Sequence, residues 1–527
     1  MAPRRGLSSI FSQTNEKTMV LLRLVAGAAC GALLSLSCTG WYLGIFAWMA
    51  LALLLLTLRG ARGWVAFASG FLYSFAFVVA TIPWIATVLV AHGGMPRTAG
   101  IGVLLLIAAV FGTLTGGFAW CVQRIARRSW TLACAAAPFL WVAMEFGQAR
   151  MPDIGFPWNL LGYAAAENLA LAQLTTLTGI YGLSFVVAAC NALLAWTIAG
   201  EGRKRAGYLL GAGATLVGVM WMGPRLVPEQ RPAHYARAVQ LNFPELEQYP
   251  QDWFGANAAA LAEIEGLSLA ASPHAPDLLI WPEAPAPFSF QDAQFARRAS
   301  SLAIRFGHPF LAGVIEWKAT GGEGRARVAP YNSAILVDAQ GQRIFSYDKM
   351  HLVPFGEYEP FPLMHRVVRA VSTEVGGFRP GTGVAVGRLP GGERFGVFIC
   401  YEAIFPGEIR RFAANGAELF VNISNDGWFG RSAAPEQHLR MARVRAVENR
   451  RWLVRVTNNG YTVSVDPYGR VRGGPPADVR RAADLPYDFR TEMTVYARYG
   501  DWFAWLCVVI SAILIVGAMR AGRAVSS

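Results

Sequence analysis

Three polar side chains stand directly after short apolar runs in the second half of the chain. Glu283 follows Leu278-Leu-Ile-Trp-Pro282, Lys349 follows Ile344-Phe-Ser-Tyr-Asp348, and Cys400 follows Gly396-Val-Phe-Ile399. The ends of neighbouring strands gather at one edge of a sheet, so three such groups can share one pocket. Their chemistry is complementary. A thiol needs a base to become a thiolate, and a partly buried carboxylate can serve. Attack on a carbonyl then builds an oxyanion, which an ammonium group and nearby backbone N–H groups can stabilise. Each residue taken alone also has a plainer reading. Glu283 could be a solvated loop acid, Lys349 a surface lysine, Glu357 and Glu402 rim charges, and Cys400 a buried, inert thiol.

The elements that must position these groups alternate between strand and helix. Ala236–Phe243, Asp277–Trp281 and Pro309–Trp317 read as strands, with helices expected over Trp253–Ala270 and Phe290–Phe306. Tyr331–Val337 and Arg343–Tyr347 flank Asp338-Ala-Gln-Gly-Gln342, a hairpin signal. Phe395–Ile399 is the strand that ends at Cys400, and Pro406–Asn415 is a helix. Glu418–Ile423 and Trp452–Val456 are further strands, with a long helix from Pro435 to Arg450 between them. Tyr461–Val465 and Gly469–Arg472 suggest a closing hairpin around Asp466-Pro467. The pattern predicts a layered α/β body of mixed strands with a single core, over residues 225–495.

The rest of the chain is different in kind. Of 527 residues, 54% are hydrophobic and only 15% charged, well below the roughly 25% charged of typical soluble domains. Mean hydropathy is +0.34. Apolar stretches long enough to cross a bilayer, which takes about 20 helical residues, lie near 18–38, 41–58, 63–90, 98–121, 130–147, 171–199 and 206–223, with an eighth near 502–520. The third is long enough to tilt or to break around Pro83. The expected organisation is therefore a membrane domain of seven spans over 1–224, the α/β body, and a last span with its tail over 496–527. The first span is read as a retained helix, because further spans follow it at once.

Lys and Arg in the short loops set the orientation. Arg4, Arg5, Lys17, Arg59, Arg62, Arg124, Arg127, Arg128, Arg203, Lys204, Arg205, Arg520 and Arg523 fall on one set of flanks. The alternate loops hold only Arg97 and Arg150. The first set is cytoplasmic by this rule, which puts both termini inside and the α/β body outside. The loop from Gln148 to Ala170 is then outside as well. Its Phe156-Pro-Trp-Asn-Leu-Leu-Gly-Tyr163 is too polar and too Gly/Pro-punctuated to span. Trp158 is either an interfacial anchor or part of a face that meets the body.

Several function classes are excluded. The net charge of +13 resides mostly between apolar segments, and no basic run interleaved with aromatics marks a nucleic-acid binder. Of the seven cysteines, Cys30, Cys38, Cys121, Cys134, Cys190 and Cys507 lie in apolar segments, so Cys400 has no disulfide partner in its own compartment. There is no CxxC pair and no HExxH, so no metal site is expected. The spans hold few ionisable residues, Arg23 and Glu145 near their ends, which argues against a transporter.

Longer motifs surround the three reactive groups. Trp281-Pro-Glu-Ala284, Tyr347-Asp-Lys-Met-His-Leu-Val-Pro-Phe-Gly-Glu357 and Cys400-Tyr-Glu-Ala-Ile-Phe-Pro406 resemble the Glu-Lys-Cys signature of the nitrilase superfamily. The form of the lysine motif, together with Asn422-Ile-Ser-Asn-Asp-Gly-Trp-Phe-Gly430, Val456-Thr-Asn-Asn-Gly460 and the eight-span arrangement, is similar to its membrane branch, the apolipoprotein N-acyltransferases of bacterial inner membranes. The resemblance implies an α-β-β-α nitrilase-like sandwich on a membrane bundle; a monomer without a cofactor is expected. It implies Cys400 as nucleophile, Glu283 as general base and Lys349 as oxyanion stabiliser, with Glu357, Tyr401 and Glu402 supporting them. Trp253 and Trp158 match family aromatics near the substrate entrance. The implied reaction carries an acyl chain from a phospholipid, phosphatidylethanolamine in particular, through a Cys400 thioester to the amino-terminal amine of a diacylglyceryl-cysteine lipoprotein. Two departures bear on substrate fit: Ala284-Pro285 after Trp-Pro-Glu, where the family commonly has Thr or Ser plus Ala, and Asn449-Arg-Arg-Trp452, where Arg-Pro is usual. The rival readings are a membrane-tethered amidase with water as acceptor and a degenerate nitrilase-like domain that binds lipid.

Overall fold

The computed structural model describes residues 7–39, 41–152, 154–200, 204–245, 249–320, 327–354, 356–358 and 377–523. Arg4, Arg5 and Arg203 of the orientation argument, and Phe355 of the lysine motif, lie outside the described residues.

Among the described residues, seven helices are long and apolar enough to cross a membrane: Glu16–Cys38, Gly63–Thr81, Arg97–Ala126, Trp130–Gln148, Ile180–Ala199, Arg205–Leu226 and Trp502–Arg520. They correspond to seven of the eight expected segments. The remaining one, 41–58, forms a 3-10 helix, Trp41–Trp48, followed by the short α-helix Ala50–Leu58. It is wedged inside the bundle, with Leu51, Leu54, Leu55 and Leu58 fully buried. Asn191 stitches the junction: its Oδ1 accepts from Ala52 N at 2.8 Å and its Nδ2 donates to the Ala47 carbonyl at 2.8 Å. A side-chain amide can serve both a freed N–H and a freed C=O where the helix type changes.

Two expected spans are interrupted. The third breaks at Ile82-Pro83, and a separate helix runs from Trp84 to Ala91. Proline has no N–H to donate and disfavours helical geometry in the residue before it. The segment expected at 171–199 becomes two single turns, Leu169–Ala172 and Thr175–Thr178, and the long helix Ile180–Ala199. Gly179 separates them at φ +64°. A Cβ there would sit 2.6 Å from the Tyr496 ring, so both the backbone conformation and the packing require glycine. Glu448 Oε1 accepts from Ile180 N at 2.9 Å, capping the long helix from the α/β body.

Among the described residues the body contains twelve strands in two six-stranded sheets, ordered β12-β1-β2-β3-β4-β5 and β11-β10-β9-β8-β7-β6. In the first sheet β1 is His234–Gln240, β2 Leu278–Ile280, β3 Phe310–Thr320, β4 Arg327–Val337, β5 Arg343–Asp348 and β12 Arg481–Tyr487. In the second, β6 is Val386–Arg388, β7 Arg394–Ile399, β8 Leu419–Ser424, β9 Trp452–Thr457, β10 Val463–Val465 and β11 Val471–Arg472. Strand side chains alternate faces, and the core divides accordingly. Leu278, Ile280, Leu311, Ala334 and Leu336 meet Val397, Ile399, Val421 and Val454 between the sheets. Leu279, Phe310, Ala312, Ile335 and Val337 face the other way, in a second core with Leu261, Ile264, Phe295 and Leu302 of helices Ala258–Leu269 and Ala293–Phe306. Helices Pro406–Ala414 and Ala434–Asn449 cover the second sheet. The result is the α-β-β-α sandwich that the motifs implied.

Two strands escaped the sequence reading. β6 is three residues long, and β12 is Arg-Ala-Ala-Asp-Leu-Pro-Tyr, without apolar alternation. β12 exists because the edge of β1 offers it a seven-residue antiparallel register, from His234↔Tyr487 to Gln240↔Arg481. Arg237 Nε pairs with Asp484 Oδ1 across that register at 2.5 Å. The helix expected over Trp253–Ala270 divides at Asn257 into Trp253–Ala256 and Ala258–Leu269.

Candidate active site

Glu283, Lys349 and Cys400 converge where β2, β5 and β7 end. Glu283 follows β2, which is carried forward by Trp281 N donating to the Leu311 carbonyl at 2.9 Å. One step on, Gly313 N donates to the Pro282 carbonyl at 3.2 Å. A Cβ at Gly313 would lie 2.6 Å from the Glu283 Cα, so only glycine lets β3 run this close beneath the loop. The antiparallel pairing of β4 with β5 sets Ser333 against Asp348. It therefore brings Lys349 opposite Asn332, whose carbonyl accepts from Lys349 N at 2.8 Å.

Glu283 is surrounded by donors. Its Oε1 accepts from Asn332 Nδ2 at 2.8 Å and Lys349 Nζ at 3.2 Å, and its Oε2 from Asn425 N at 2.8 Å. A carboxylate, which only accepts, fits this arrangement. Glu357 mirrors it: Oε1 takes Lys349 Nζ at 3.0 Å and Asn332 Nδ2 at 2.8 Å, and Oε2 takes Val353 N at 2.7 Å. Asn332 thus divides its two amide hydrogens between the two acids. Lys349 is buried. Burial works against its charge, and Glu283, Glu357 and Cys400 overcome that and hold the ammonium above its ordinary range.

Cys400 is buried, and its backbone stands at φ +48°. Non-glycine residues rarely take that region, and at functional sites it serves to aim a side chain. Burial, then the charge of Glu283, push the thiol well above its usual proton affinity, while Lys349 pulls it down. The resting sulfur is a thiol beside a carboxylate, so proton transfer and attack on a carbonyl can be concerted. Glu402, two residues on, is fully buried. Its Oε1 accepts from Tyr347 Oη and Met350 N, each at 2.7 Å, and from His351 N at 3.3 Å, and its Oε2 accepts from Ile399 N at 2.6 Å. It therefore ties the segment after Lys349 to the strand before Cys400. Burial pushes its carboxyl up to about 7, and its donors work the other way. In Glu402→Gln one of these N–H donors must face an amide NH2. A stability loss of about 1–3 kcal/mol is expected, measured by thermal unfolding in detergent, together with a drop in turnover.

The two expected tryptophans part company. Trp158 is buried, parallel to Phe156 at 5.5 Å and tilted on Trp84 at 4.9 Å. Phe156 continues the stack to Tyr401 at 6.3 Å. The loop Gln148–Ala170 thus meets the body beside Cys400, and a lone interfacial anchor is ruled out. Trp158 Nε1 also donates to Gln437 Oε1 at 2.7 Å, while Gln437 Nε2 reaches the carbonyls of Cys38 and Thr81 at 3.3 Å each. Trp253 belongs to the second core instead, packed on Phe243, Phe254 and Phe288.

Sequence reading missed Asn332, Asn425, Gln437 and His438. Asn332 left a signal, an amide within an otherwise apolar strand, where asparagine is depleted, and Asn425 lies within the motif Asn422–Gly430. It also passed over Glu245, which accepts from Asn458 Nδ2 at 3.2 Å and lies close enough to Glu283 for the two charges to interact. Among the described residues no group of His, Cys, Asp and Glu could hold a metal ion.

Comparison with known proteins bears on this geometry. Residues 236–481 match the carbon-nitrogen hydrolase family and residues 30–193 the apolipoprotein N-acyltransferase N-terminal domain. The apolipoprotein N-acyltransferase of Geobacter metallireducens is 35% identical over 93% of this chain and 94% of its own length. The chain belongs to the apolipoprotein N-acyltransferase family. The namesakes from Azotobacter vinelandii and Shewanella oneidensis are 30% and 28% identical and cover 94% and 98% of the chain, and 94% and 99% of their own lengths. Among solved structures, an amidase from Nesterenkonia sp. is 22% identical and covers 50% of this chain and 94% of its own, with a TM-score of 0.35. Both halves of the chain, bundle and sandwich, are thus accounted for in one family.

Proposed function

We propose that this chain is an apolipoprotein N-acyltransferase that works by ping-pong acyl transfer through Cys400. Glu283 takes the Cys400 proton as the sulfur attacks an ester carbonyl of a phospholipid, phosphatidylethanolamine in particular. Lys349 Nζ and a backbone N–H near Cys400 hold the oxyanion. The C–O bond to glycerol then breaks, Glu283 returns the proton to the leaving oxygen, and lysophospholipid departs. A thioester remains on Cys400. The neutral α-amine of a diacylglyceryl-cysteine lipoprotein attacks the thioester, the C–S bond breaks, and the amine proton passes through Glu283 back to the thiolate. Glu357 and Asn332 hold Lys349 and Glu283 in register, and Glu402 and Tyr401 support the cysteine turn.

The observation that carries this reading is the stack Trp158–Phe156–Tyr401. It joins the membrane bundle to the residue after Cys400. A donor and an acceptor that both carry acyl chains are driven to such an apolar junction, and a water-poor junction protects a thioester from hydrolysis. The loop charges favour an orientation with both termini in the cytoplasm and the body on the outer face of a bacterial inner membrane. Residues 1–224, 225–495 and 496–527 serve in this reading as bundle, catalytic body and closing span.

The test uses purified protein in liposomes with phosphatidylethanolamine and a diacylglyceryl-cysteine lipopeptide, both products being followed by mass spectrometry. N-acylated lipopeptide from the wild type, with none from Cys400→Ala, is the expected result. Free fatty acid without acylated peptide would sink acyl transfer in favour of an amidase-like hydrolase with water as acceptor.

A further inference from the structure

Behind Cys400 lies a buried polar network that the scheme above does not use. His438, on helix Ala434–Asn449, is fully buried, and its Nε2 lies 3.0 Å from the Cys400 carbonyl oxygen. A carbonyl only accepts, so Nε2 carries the hydrogen. The other ring nitrogen, Nδ1, lies 3.1 Å from Arg455 Nη2, which only donates. Nδ1 thus faces this donor and also the Asp426 carboxylate, an acceptor, and the Nε2–H is present whichever of the two it serves. Arg455 Nη2 also contacts both oxygens of Asp426, at 2.9 and 2.8 Å, and Asp426 Oδ1 takes Ser424 Oγ at 2.9 Å. Asp426 Oδ1 stands 3.3 Å from His438 Nδ1. Burial and the Arg455 charge lower the His438 pKa, and Asp426 and the Cys400 carbonyl work the other way. The rings of Trp158 and Phe429 close its remaining faces, at 5.8 and 5.9 Å.

The grip on one carbonyl has a consequence across the same peptide. A trans peptide is planar, so the Tyr401 N–H points away from the Cys400 C=O. Tyr401 lies in the first turn of the 3-10 helix Cys400–Ile404, where N–H groups have no acceptor within the helix. Fixing the carbonyl therefore fixes the direction of a donor next to the reacting sulfur. The residue before the clamp, Gln437, is held by Trp158, Cys38 and Thr81, so the clamp is referenced to the membrane helices.

We propose that His438 is a positioning residue for acylation: its Nε2–H holds the Cys400 carbonyl and so presents the Tyr401 N–H as the backbone oxyanion donor that acts with Lys349. This rests on the acyl-enzyme reading of Cys400. His438 touches no reacting atom and transfers no proton.

The test compares wild type, His438→Phe and His438→Gln as full-length protein in liposomes. Phenylalanine keeps a ring against Trp158 and Phe429 without a donor, and the glutamine amide can still donate to the carbonyl. Two rates are read: release of lysophosphatidylethanolamine with acylation of Cys400, and alkylation of Cys400 by iodoacetamide. Alkylation needs the thiolate but forms no oxyanion, so it ignores the proposed role. Expected for His438→Phe is a loss of acylation of roughly 10²-fold, the scale of one lost oxyanion donor. Alkylation and the KM for phospholipid should stay within about twofold, and His438→Gln should recover most of the acylation rate. Acylation by His438→Phe within about threefold of wild type would overturn the proposal, as would a parallel fall of alkylation and acylation. If His438→Phe does not fold, His438→Gln decides: an acylation loss of the order of 10²-fold despite its donor refutes the clamp. Product formation by wild type with no acyl group ever found on Cys400 would instead refute the thioester reading beneath it.

Discussion

Glu283→Gln is expected to lower the rate of lysophospholipid release by about 10³-fold, within the range for loss of a positioned general base. Three donors, Asn332 Nδ2, Lys349 Nζ and Asn425 N, converge on this carboxylate. An amide in its place must turn an NH2 toward at least one of them, and it cannot take the Cys400 proton. The thiol is held protonated by burial first and by the Glu283 charge second. Substitution removes the second cause and leaves the first, so the sulfur stays a thiol at neutral pH. The residual acylation rate should therefore climb with pH, by up to about tenfold per unit. Stopped assays at several pH values read this directly, while the iodoacetamide rate, which needs only the thiolate, should not fall with acylation. Unchanged acylation in Glu283→Gln at neutral pH would remove Glu283 from the mechanism.

Lys349→Met is expected to have the largest combined effect on fold and turnover. The Nζ stands between Glu283 at 3.2 Å and Glu357 at 3.0 Å. The lysine side chain is 1% exposed and those of the acids 7% and 14%. Methionine fills much of the volume but leaves two buried carboxylates facing each other without a cation. Breaking a buried ion pair from one side costs about 3–5 kcal/mol, and losing the oxyanion partner adds a kinetic penalty of about 10²–10³-fold. The sign of the pH dependence follows from the raised pKa of Lys349 in the fold. A lysine whose folded pKa exceeds its unfolded one stabilises fully below the unfolded value and loses that contribution only as pH rises through the folded one. The difference in stability between wild type and Lys349→Met should thus be flat from mildly acidic to neutral pH and shrink only in strong alkali. Thermal unfolding in detergent across that range measures it. Equal unfolding temperatures at neutral pH would mean that the pairing contributes nothing to the fold.

The long relay between membrane and thiol gives these variants a common background. Trp158, from a loop between spans, meets Gln437, and the next residue of that helix meets the Cys400 carbonyl. Glu448, further along the same helix, caps the span that begins at Ile180. One helix of the body thereby touches the bundle at both ends and the cysteine turn between them. Acyl transfer from a bilayer to a protein amine needs such a rigid junction, because the ester must arrive within attack distance of a sulfur fixed to the sheet.

The amino-acid sequence by itself determined the local features. Apolar runs of sufficient length marked the helices that can span a membrane. Pro83 marked the break in the third. The strands ending at Glu283, Lys349 and Cys400 were readable as short runs rich in aliphatic or aromatic residues, and the motifs around them carried the family. Contacts between distant segments were decided only by the tertiary structure. β12 has no strand signal of its own and forms because β1 presents an unpaired edge. Asn332 gains its role from the β4–β5 register, and Gly179 from the Tyr496 ring that occupies the space of its missing Cβ. Trp253 and Trp158 looked alike as aromatics near an entrance, yet one fills the core behind the first sheet and the other stands beside the cysteine turn. A side chain's type and its neighbours in the chain are local facts. Which donor meets which acceptor across two hundred residues depends on how sheets and spans pack, and that information resides in no single segment.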